Sequence, residues 1–509
     1  METKTAAIEM RNITKRFGPV LANDKVWLNI YRGEILALLG ENGSGKTTLM
    51  NMLSGIYFPD EGEIKIDGKE VVIRSPKDAF DNGIGMIHQH FKLVDVLTAA
   101  ENIVLGLPGK LDLKAASAKI REICDKYGFS VDPSQKIYDM SVSQKQTVEI
   151  VKVLYRGADI LILDEPTAVL TPQETDKLFA VLRNMRNDGK AIVIITHKMH
   201  EVEALSDRVA ILRHGQFIGD MLTSQTNAQE MTNMMVGHAV SLNIERPAPV
   251  DPKPRIEVKG LTVRSVDGIV KLDDVSFTAN SGEILGIAGI SGCGQKELLE
   301  AIAGLQTVES GSISYIEDDG SREELIGKDP LSIAELGVSL SFVPEDRLGM
   351  GLVGNMNLAD NMMLRSFRRG KSIFTDRRSP RALAESVVQE LSVSTPSVDT
   401  PVRRLSGGNV QKVLVGREIA SAPTVLLTAY AVRGLDIHSS YTIYDLINRQ
   451  KKAGVAVIFV GEDLDVLLEL CDRILVLCGG KVSGIVSGRG AEKREVGMMM
   501  TKLGGQSHE

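Results

Sequence analysis

Short apolar runs separated by mixed polar segments recur along the chain, and they predict buried strands. Residues 35–39, 160–163, 191–195 and 455–460 are the clearest of these runs. Their length suits strands of a parallel sheet covered on both faces. The first run leads into a glycine-rich segment, after which we expect a helix to begin near Lys46. No apolar run approaches the roughly 20 residues needed to cross a bilayer. The pattern therefore predicts an α/β fold.

Two stretches of the chain repeat one another. RGEILALLGENGSGKTT, residues 32–48, recurs as SGEILGIAGISGCGQKE, residues 281–297, and EALSDRVAILRHGQ recurs as LELCDRILVLCGGK. Three pairs of corresponding positions, 406 and 141, 429 and 164, and 462 and 197, all differ by 265. Self-similarity of this extent indicates two copies of one domain.

The repeat divides the chain near its middle. We predict a first domain over residues 1–240, a linker over 241–255 and a second domain over 256–509. The linker carries Pro247, Pro249, Pro252 and Pro254, which favour an extended, semi-rigid connector. Each half is long enough to bury a core of its own.

Composition excludes several functions. Of the 509 residues 25% are charged and 43% hydrophobic, and the net charge of −7 gives no reason to expect a nucleic-acid partner. The four cysteines are scattered, which suits a reducing compartment and indicates no zinc site. The N-terminus lacks a charged-then-apolar signal segment. We therefore expect a cytosolic chain unless a partner holds it at a membrane.

The first copy contains a phosphate-binding loop between an apolar strand and a helix. The pattern G-x-x-x-x-G-K-[ST] is met by residues 40–47. Its glycines let backbone N–H groups approach phosphates, Lys46 reaches the β- and γ-phosphates, and Thr47 can ligate Mg²⁺. The candidate ATP-binding residues of this loop are Gly40, Asn42, Gly43, Ser44, Gly45, Lys46, Thr47 and Thr48.

Polar residues at the ends of other strands of this copy complete a candidate hydrolytic site. The run at 160–163 ends in Asp164 and Glu165, of which the first would hold Mg²⁺ and the second would polarise the attacking water. His197 follows the run at 191–195, where it can reach the γ-phosphate. Gln89 lies between the loop and Asp164, where it could link Mg²⁺ and water to a partner.

Together these residues resemble an ATP-binding cassette (ABC) ATPase, and the resemblance covers the whole chain. It implies two tandem P-loop NTPase domains, each with a mostly parallel sheet core, an antiparallel β subdomain and a helical subdomain. It also implies that Phe17 stacks on adenine, Gln89 is the Q-loop glutamine, Glu165 the catalytic base and His197 the switch histidine. MSVSQ, residues 140–144, occupies the signature position, where the family shows LSGGQ. Ser143 at the second glycine is an expected handicap.

The second copy has lost most of these chemical groups. Gln295 stands at the lysine position of the loop, and Lys296 follows it. A slip of Lys296 into the lost position is the alternative, which adjacent positions on a helix disfavour. Ala429 and Tyr430 replace the two carboxylates. Glu345 and Glu462 replace the glutamine and the histidine, and no aromatic residue lies at 263–271 to stack on adenine.

The signature of the second copy, LSGGN, is nearly intact. In ABC proteins two cassettes pair head to tail, so the resemblance implies that the two copies pair within this chain. One composite ATP site would then be complete and the opposite one impaired. The residues that the second copy would contribute to the complete site are Ser406, Gly407, Gly408 and Asp436.

The same resemblance narrows the function to ATP hydrolysis coupled to transport. The chain looks like the ATPases of simple-sugar and nucleoside importers in three motifs, VPEDR, LSGGNVQK and DEPTAVLTPQE. A fourth segment, IHQHFKLVDVLTAAENIVLG, is closer to the nucleoside branch. The implied partners are two membrane permease subunits and an extracytoplasmic solute-binding protein, with the chain peripheral at the cytoplasmic face. Import of ribose- or galactose-type sugars is one alternative. A soluble non-transport ABC ATPase and a non-hydrolysing regulator are more distant ones.

Two further features keep two interpretations each. His88 and His90 are expected at the permease-facing surface, with zinc binding as the less favoured alternative because no third ligand is evident. The basic stretch at 365–381 is either a solvated face or a contact with anionic lipid headgroups or the permease.

Overall fold

A computed structural model describes most of the chain. The described residues are 6–88, 91–108, 112–167, 170–196, 198–237, 244–265, 267–290, 292–335, 340–344, 346–367, 375–433, 435–461 and 463–502. Two compact units divide it, residues 1–241 and 242–509, and each is described by itself. Within the described residues, no helix is long and apolar enough to span a bilayer.

The first unit alternates strands and helices as the apolar runs predict. Its elements are β1 (Ala6–Phe17), β2 (Val20–Tyr31), β3 (Ile35–Leu39), α1 (Lys46–Leu53), β4 (Glu61–Ile66), β5 (Lys69–Val71), α2 (Pro76–Asp81), β6 (Ile84–Ile87), α3 (Ala99–Val104), α4 (Leu113–Tyr127), α5 (Val142–Tyr155), β7 (Ile160–Asp164), α6 (Pro172–Asn187), β8 (Ala191–Ile195), α7 (Met199–Leu205), β9 (Arg208–Arg213), β10 (Gln216–Leu222) and α8 (Ala228–Val236).

The second unit repeats this order. Its elements are β11 (Pro254–Arg264), β12 (Val270–Asn280), β13 (Ile284–Ala288), α9 (Gln295–Ile302), β14 (Ser310–Ile316), β15 (Arg322–Glu324), α10 (Pro330–Glu335), β16 (Leu340–Val343), α11 (Leu358–Met363), α12 (Arg378–Glu390), α13 (Gly407–Ala420), β17 (Val425–Ala429), α14 (Ile437–Lys452), β18 (Ala456–Val460), α15 (Leu464–Leu470), β19 (Arg473–Cys478), β20 (Lys481–Ser487) and α16 (Lys493–Met499).

Each unit contains two sheets. The first unit has an antiparallel sheet in the order β2-β1-β4-β5 and a six-stranded sheet in the order β10-β9-β3-β8-β7-β6, parallel except for the β9–β10 pair. The second unit has the matching sheets β12-β11-β14-β15 and β16-β17-β18-β13-β19-β20. The predicted fold class is therefore confirmed.

The core explains why the strand ends of β3, β7 and β8 form a rigid edge. All five residues of β3 and of β8 are buried, as are the first four of β7. One apolar cluster joins these strands to α1 and to the antiparallel sheet. A separate cluster holds α3, α4 and α5 together as a helical subdomain. The packing of these three strands therefore fixes the positions at which the loops after their carboxyl ends begin.

The proline-rich residues are attached to the second unit. Arg246 donates from Nη1 to the carbonyl oxygens of Leu468 and Cys471, both at 2.7 Å. The Nζ of Lys451, which is buried, donates to the carbonyl of Pro247 and lies 2.7 Å from Oδ1 of Asp472. From residue 244 onward, the linker of our prediction is thus packed against the second unit.

Candidate nucleotide-binding site

The phosphate-binding loop of the first unit connects β3 to α1, which begins at Lys46 as expected. Two of its glycines leave no room for a side chain. A Cβ at Gly40 would lie 2.3 Å from the carbonyl oxygen of Leu212, and one at Gly45 would lie 2.3 Å from that of Ala22. Gly45 also has φ of 95°, a conformation that glycine adopts at little cost. The loop therefore requires these glycines for its own shape.

Lys46 fills the centre of this loop. Its Nζ donates to the carbonyl oxygens of Gly40 at 2.7 Å and Glu41 at 3.0 Å. Burial lowers the pKa of the Lys46 ammonium, while the negative charges of Glu165 and Asp164 act in the opposite direction. The structure thus places the ammonium group of Lys46 inside the loop, on two backbone carbonyl oxygens.

Thr47 and Asp164 bring together two oxygen groups suited to a hard cation. The hydroxyl of Thr47 donates to Oδ2 of Asp164 at 3.3 Å. Burial raises the pKa of Asp164, as does the charge of Glu165. Mg²⁺ prefers one or two protein oxygen ligands and completes its shell with water and phosphate oxygens. The described residues contain no group of three or more metal-ligating acids, histidines or cysteines. These two oxygens therefore fit Mg²⁺ brought in with a nucleotide.

Glu165 has an unusual backbone conformation just after β7. Its φ is 47°, and its N–H donates to the carbonyl of Ile195 at 2.8 Å. Tyr430 at the corresponding position of the second unit has φ of 54°, and its N–H donates to Val460 at 2.9 Å. Left-handed backbone costs a non-glycine residue about 1–3 kcal/mol. Both units keep this backbone, although one presents a carboxylate and the other a phenol.

In the described residues of the second unit's loop, a neutral side chain stands at the lysine position. Gln295 is buried and donates from Nε2 to the carbonyl of Ile290 at 3.2 Å. Lys296 keeps a half-exposed side chain whose Nζ lies 3.7 Å from Oε1 of Glu300, one turn along α9. The alternative that Lys296 slips into the lysine position is therefore wrong. Ala429, which is buried, leaves no metal ligand at the end of β17.

The two signature segments begin their helices in the same way. Ser141 accepts a hydrogen bond from the N–H of Gln144 at 3.2 Å and caps α5. Ser406 accepts from Asn409 and caps α13. A Cβ at Gly408 would meet only the side chain of Leu435, at 3.4 Å, an ordinary contact. Among the described residues of the second unit, no contact therefore requires glycine at 408.

Comparison with known proteins identifies the family. The model of the ABC transporter family matches residues 23–168 and 272–428, which is more than half of the chain. The chain belongs to the ABC transporter family. It is an ATPase with two cassettes, which confirms the resemblance found in the sequence.

Several curated ABC proteins are similar over nearly the full length. The nucleoside import ATP-binding protein NupA of Lactococcus lactis subsp. cremoris is 42% identical, with 99% of each chain covered. The glucose import ATP-binding protein TsgD13 of Haloferax volcanii is 40% identical, with 98% of this chain and 96% of that one covered. The guanosine import ATP-binding protein NupO of Bacillus subtilis is 41% identical, with 97% of each covered.

Of four other residues expected at the ATP site, the structure describes two, Phe17 and Asp436. Phe17 is 42% exposed, its ring packs edge to face with that of Tyr57 at 5.1 Å between centroids, and the Nζ of Lys15 lies over the Phe17 ring, 5.6 Å from its centroid. Asp436 caps α14 by accepting from the N–H of Ser439 at 2.7 Å. Gln89 and His197 lie outside the described residues.

Sequence reasoning missed Arg347, which braces the second signature. Its Nη1 donates to the carbonyl of Gly407 at 3.0 Å, and its Nη2 donates to the carbonyl of Arg433. Burial lowers the pKa of the Arg347 guanidinium, and the neighbouring charge of Arg433 lowers it further. Because the acceptors are backbone carbonyls, no pairing of residue types in the sequence could have indicated these contacts.

The basic stretch at 365–381 contains two arginines in ion pairs. Arg365 lies 2.7 Å from the buried carboxylate of Glu418. Arg381 makes a two-pronged contact with Asp399 at 2.9 and 2.8 Å. Both contacts lie within the second unit, the first to a buried carboxylate and the second between two half-exposed side chains. Residues 368–374 lie outside the described part of the chain.

Proposed function

We propose that this chain energises the import of nucleosides by hydrolysing ATP in its first unit. It would act with two membrane permease subunits and an extracytoplasmic solute-binding protein, at the cytoplasmic face of the membrane. NupA and NupO support nucleosides as the solute, since both are named for them. TsgD13, almost as similar, supports a simple sugar as the second candidate.

One contrast within the molecule supports hydrolysis in the first unit. Lys46, Thr47 and Asp164 lie together there, whereas the corresponding positions of the second unit hold Gln295, Lys296 and Ala429. A γ-phosphate needs positive charge around it as it is transferred. Among the described residues of the two loops, that charge lies inside the first, on Lys46.

Each side chain of the first site has a proposed role. Lys46 would bind the β- and γ-phosphates, and Phe17 would stack on the adenine. Thr47 and Asp164 would hold Mg²⁺, which neutralises charge on the phosphates when it is bound. Glu165 would orient and polarise the attacking water. Proposed roles that rest on the family resemblance alone are those of Gln89, as a link to Mg²⁺ and water, and of His197, as the contact to the γ-phosphate.

The second unit would contribute its signature to the same ATP. We propose this role for Ser406, Gly407, Gly408 and Asp436 on the family pattern. The support from this chain is the glycine at 408, which its own unit does not require. A residue that the fold leaves free to vary, yet that is glycine, suits close approach of backbone to a phosphate.

The solute is tested on the binding protein that works with this chain. We expect guanosine and other nucleosides to raise its melting temperature, and ribose and glucose to leave it unchanged. Loaded binding protein should also stimulate ATP hydrolysis by the chain assembled with its permeases in vesicles. Stabilisation by sugars alone would replace nucleoside import with sugar import. A chain that never sediments with membranes when its permeases are present would favour a soluble ABC ATPase.

A further inference from the structure

A buried carboxylate lies behind the candidate ATP site of the first unit. Glu201, on α7, is only 3% exposed. It accepts hydrogen bonds from the hydroxyl of Thr167 at 2.5 Å and from that of Thr196 at 3.3 Å. The Nζ of Lys198 lies 3.2 Å from Glu201 and donates to the carbonyl of Thr167 at 3.3 Å. A buried carboxylate with three such partners is well satisfied.

These contacts join two strand ends that carry proposed catalytic residues. Thr167 follows β7 three positions after Asp164, and Thr196 directly follows β8. The N–H of Lys198 donates to the hydroxyl of Thr196 at 3.1 Å, so residues on both sides of position 197 belong to the network. Glu201 thus ties the segment after the two carboxylates to the segment that contains the proposed switch histidine.

The second unit has other residues at the positions of this network. The positions of Thr167, Thr196 and Glu201, shifted by 265, hold Val432, Gly461 and Val466. Both valines pack against the main apolar cluster of that unit. Apolar residues therefore fill these places in the same fold.

A different buried ion pair shows what the fold itself retains. Arg208 lies 2.6 Å from Glu34 in the first unit, and Arg473 lies 2.6 Å from Glu283 at the corresponding place in the second. This pair is present in both units, whether or not the phosphate-binding loop has its lysine. The Glu201 network is present only in the unit that keeps Lys46, Asp164 and Glu165.

We propose that Glu201 is a positioning residue for ATP hydrolysis. By holding Thr167 and Thr196, it fixes the distance between the segment after Asp164 and Glu165 and the segment around position 197. Stability does not explain it, because well-packed apolar residues replace buried ionic groups at little or no cost. The inference rests on the proposed assignment of hydrolysis to the first unit.

The test gives the first unit the residues that the second unit has at two of these three positions. In the full chain, the double variant Thr167→Val/Glu201→Val places the two valines of the second unit at these positions. We expect its KM for ATP to stay close to that of the wild type and its melting temperature to fall by a few degrees at most, since the Thr196 hydroxyl loses its acceptor. Its kcat should fall about tenfold or more, since misplacement by about 1 Å can cost 100-fold in rate. Glu201→Gln, which keeps the shape, should fall in the same direction but less.

Two comparison variants separate this role from a structural one. Glu34→Gln weakens the ion pair that both units share, and we expect a lower melting temperature with unchanged kcat. Val466→Thr alters the corresponding position of the second unit, and it should leave kcat unchanged. A double variant that is both stable and fully active would overturn the positioning role. Wild-type turnover in Glu165→Gln would instead overturn the assignment of hydrolysis to the first unit.

Discussion

The two units have the same backbone and different side chains at the places where chemistry would occur. β7 and β17 both end in a residue with left-handed φ, Glu165 in one and Tyr430 in the other. Both units keep a glycine before the first helix, Gly45 and Gly294, with φ of 95° and 96°. Since the shape persists without the chemistry, the fold alone does not report which unit hydrolyses ATP.

What differs between the units is charge inside the loop and at the strand ends. Lys46 and Asp164 in the first unit are replaced by Gln295 and Ala429, which are neutral and buried. Buried charges cost free energy unless a partner or a ligand compensates them. The presence of these charges in the first unit supports our proposal that hydrolysis takes place there, whereas the second unit has neutral, buried side chains at these two positions.

The largest effect is expected of Glu165→Gln, which tests whether the first unit hydrolyses ATP. We expect hydrolysis to fall by about two orders of magnitude or more, because the general base is lost, while ATP binding persists. Turnover of radiolabelled ATP and equilibrium binding of ATP measure the two quantities.

The matched control for this variant is Tyr430→Phe, at the same position of the second unit. It removes only a hydroxyl and should leave turnover within about twofold of the wild type, as expected of a side chain remote from a reacting phosphate. If Tyr430→Phe reduced turnover more than Glu165→Gln, the roles of the units would have to be exchanged.

A second test places the same charge in both signatures. Gly408→Asp puts a carboxylate near the N-terminus of α13, where a negative charge stabilises the helix and the packing has room for it. We expect normal thermal stability and a fall in turnover of about tenfold or more, from repulsion of the γ-phosphate. Ser143→Asp, at the same position of α5, should have a much smaller effect. The opposite ranking would assign the working ATP to the other loop.

The sequence was sufficient for the architecture because the repeat and the buried strands are local patterns. Apolar runs predict β3, β7, β8 and β18, and the glycine spacing predicts the start of α1. The same motif predicts the side chains that we propose to bind phosphate.

What the sequence could not predict lies in contacts between distant residues and in backbone conformation. The brace from Arg347 to Gly407 joins residues 60 positions apart through a carbonyl. Glu201 reaches Thr167 across 34 positions. The positive φ of Glu165 could not be predicted either, because few residues other than glycine, asparagine, aspartate and histidine take this conformation.

A third variant removes an unfavourable negative charge that the first unit has at Asp164 and that the second unit lacks at the corresponding position. The pKa of Asp164 is raised by burial and by Glu165, so the folded state binds its proton more tightly than the unfolded chain does. Ionised Asp164 thus destabilises the nucleotide-free protein at neutral pH, and this cost disappears as the pH falls through the folded pKa. We expect Asp164→Asn to raise the melting temperature of the nucleotide-free chain at neutral pH.

The pH dependence of that gain identifies its cause. Calorimetry of the nucleotide-free chain should show the advantage of Asp164→Asn shrinking as the pH approaches the ordinary range of a carboxyl group, near 3.8. An advantage that stays constant with pH would assign the gain to packing rather than to charge.

The smallest expected effect on turnover belongs to Gln295→Ala, which tests whether the second loop has any remaining chemical role. Gln295 donates to Ile290 much as Lys46 donates to Glu41, with distances of 3.2 and 3.0 Å. The glutamine therefore supports its loop as the lysine does, without offering a charge to a phosphate. Truncating it removes one part-buried hydrogen bond to the exposed residue Ile290, which should cost the second unit about 0.5–1.5 kcal/mol and leave turnover nearly unchanged. Unfolding and turnover measured on the same preparation would separate the two. A large loss of turnover at full stability would mean that the second loop still binds nucleotide, and that lost charge has not ended its part in the cycle.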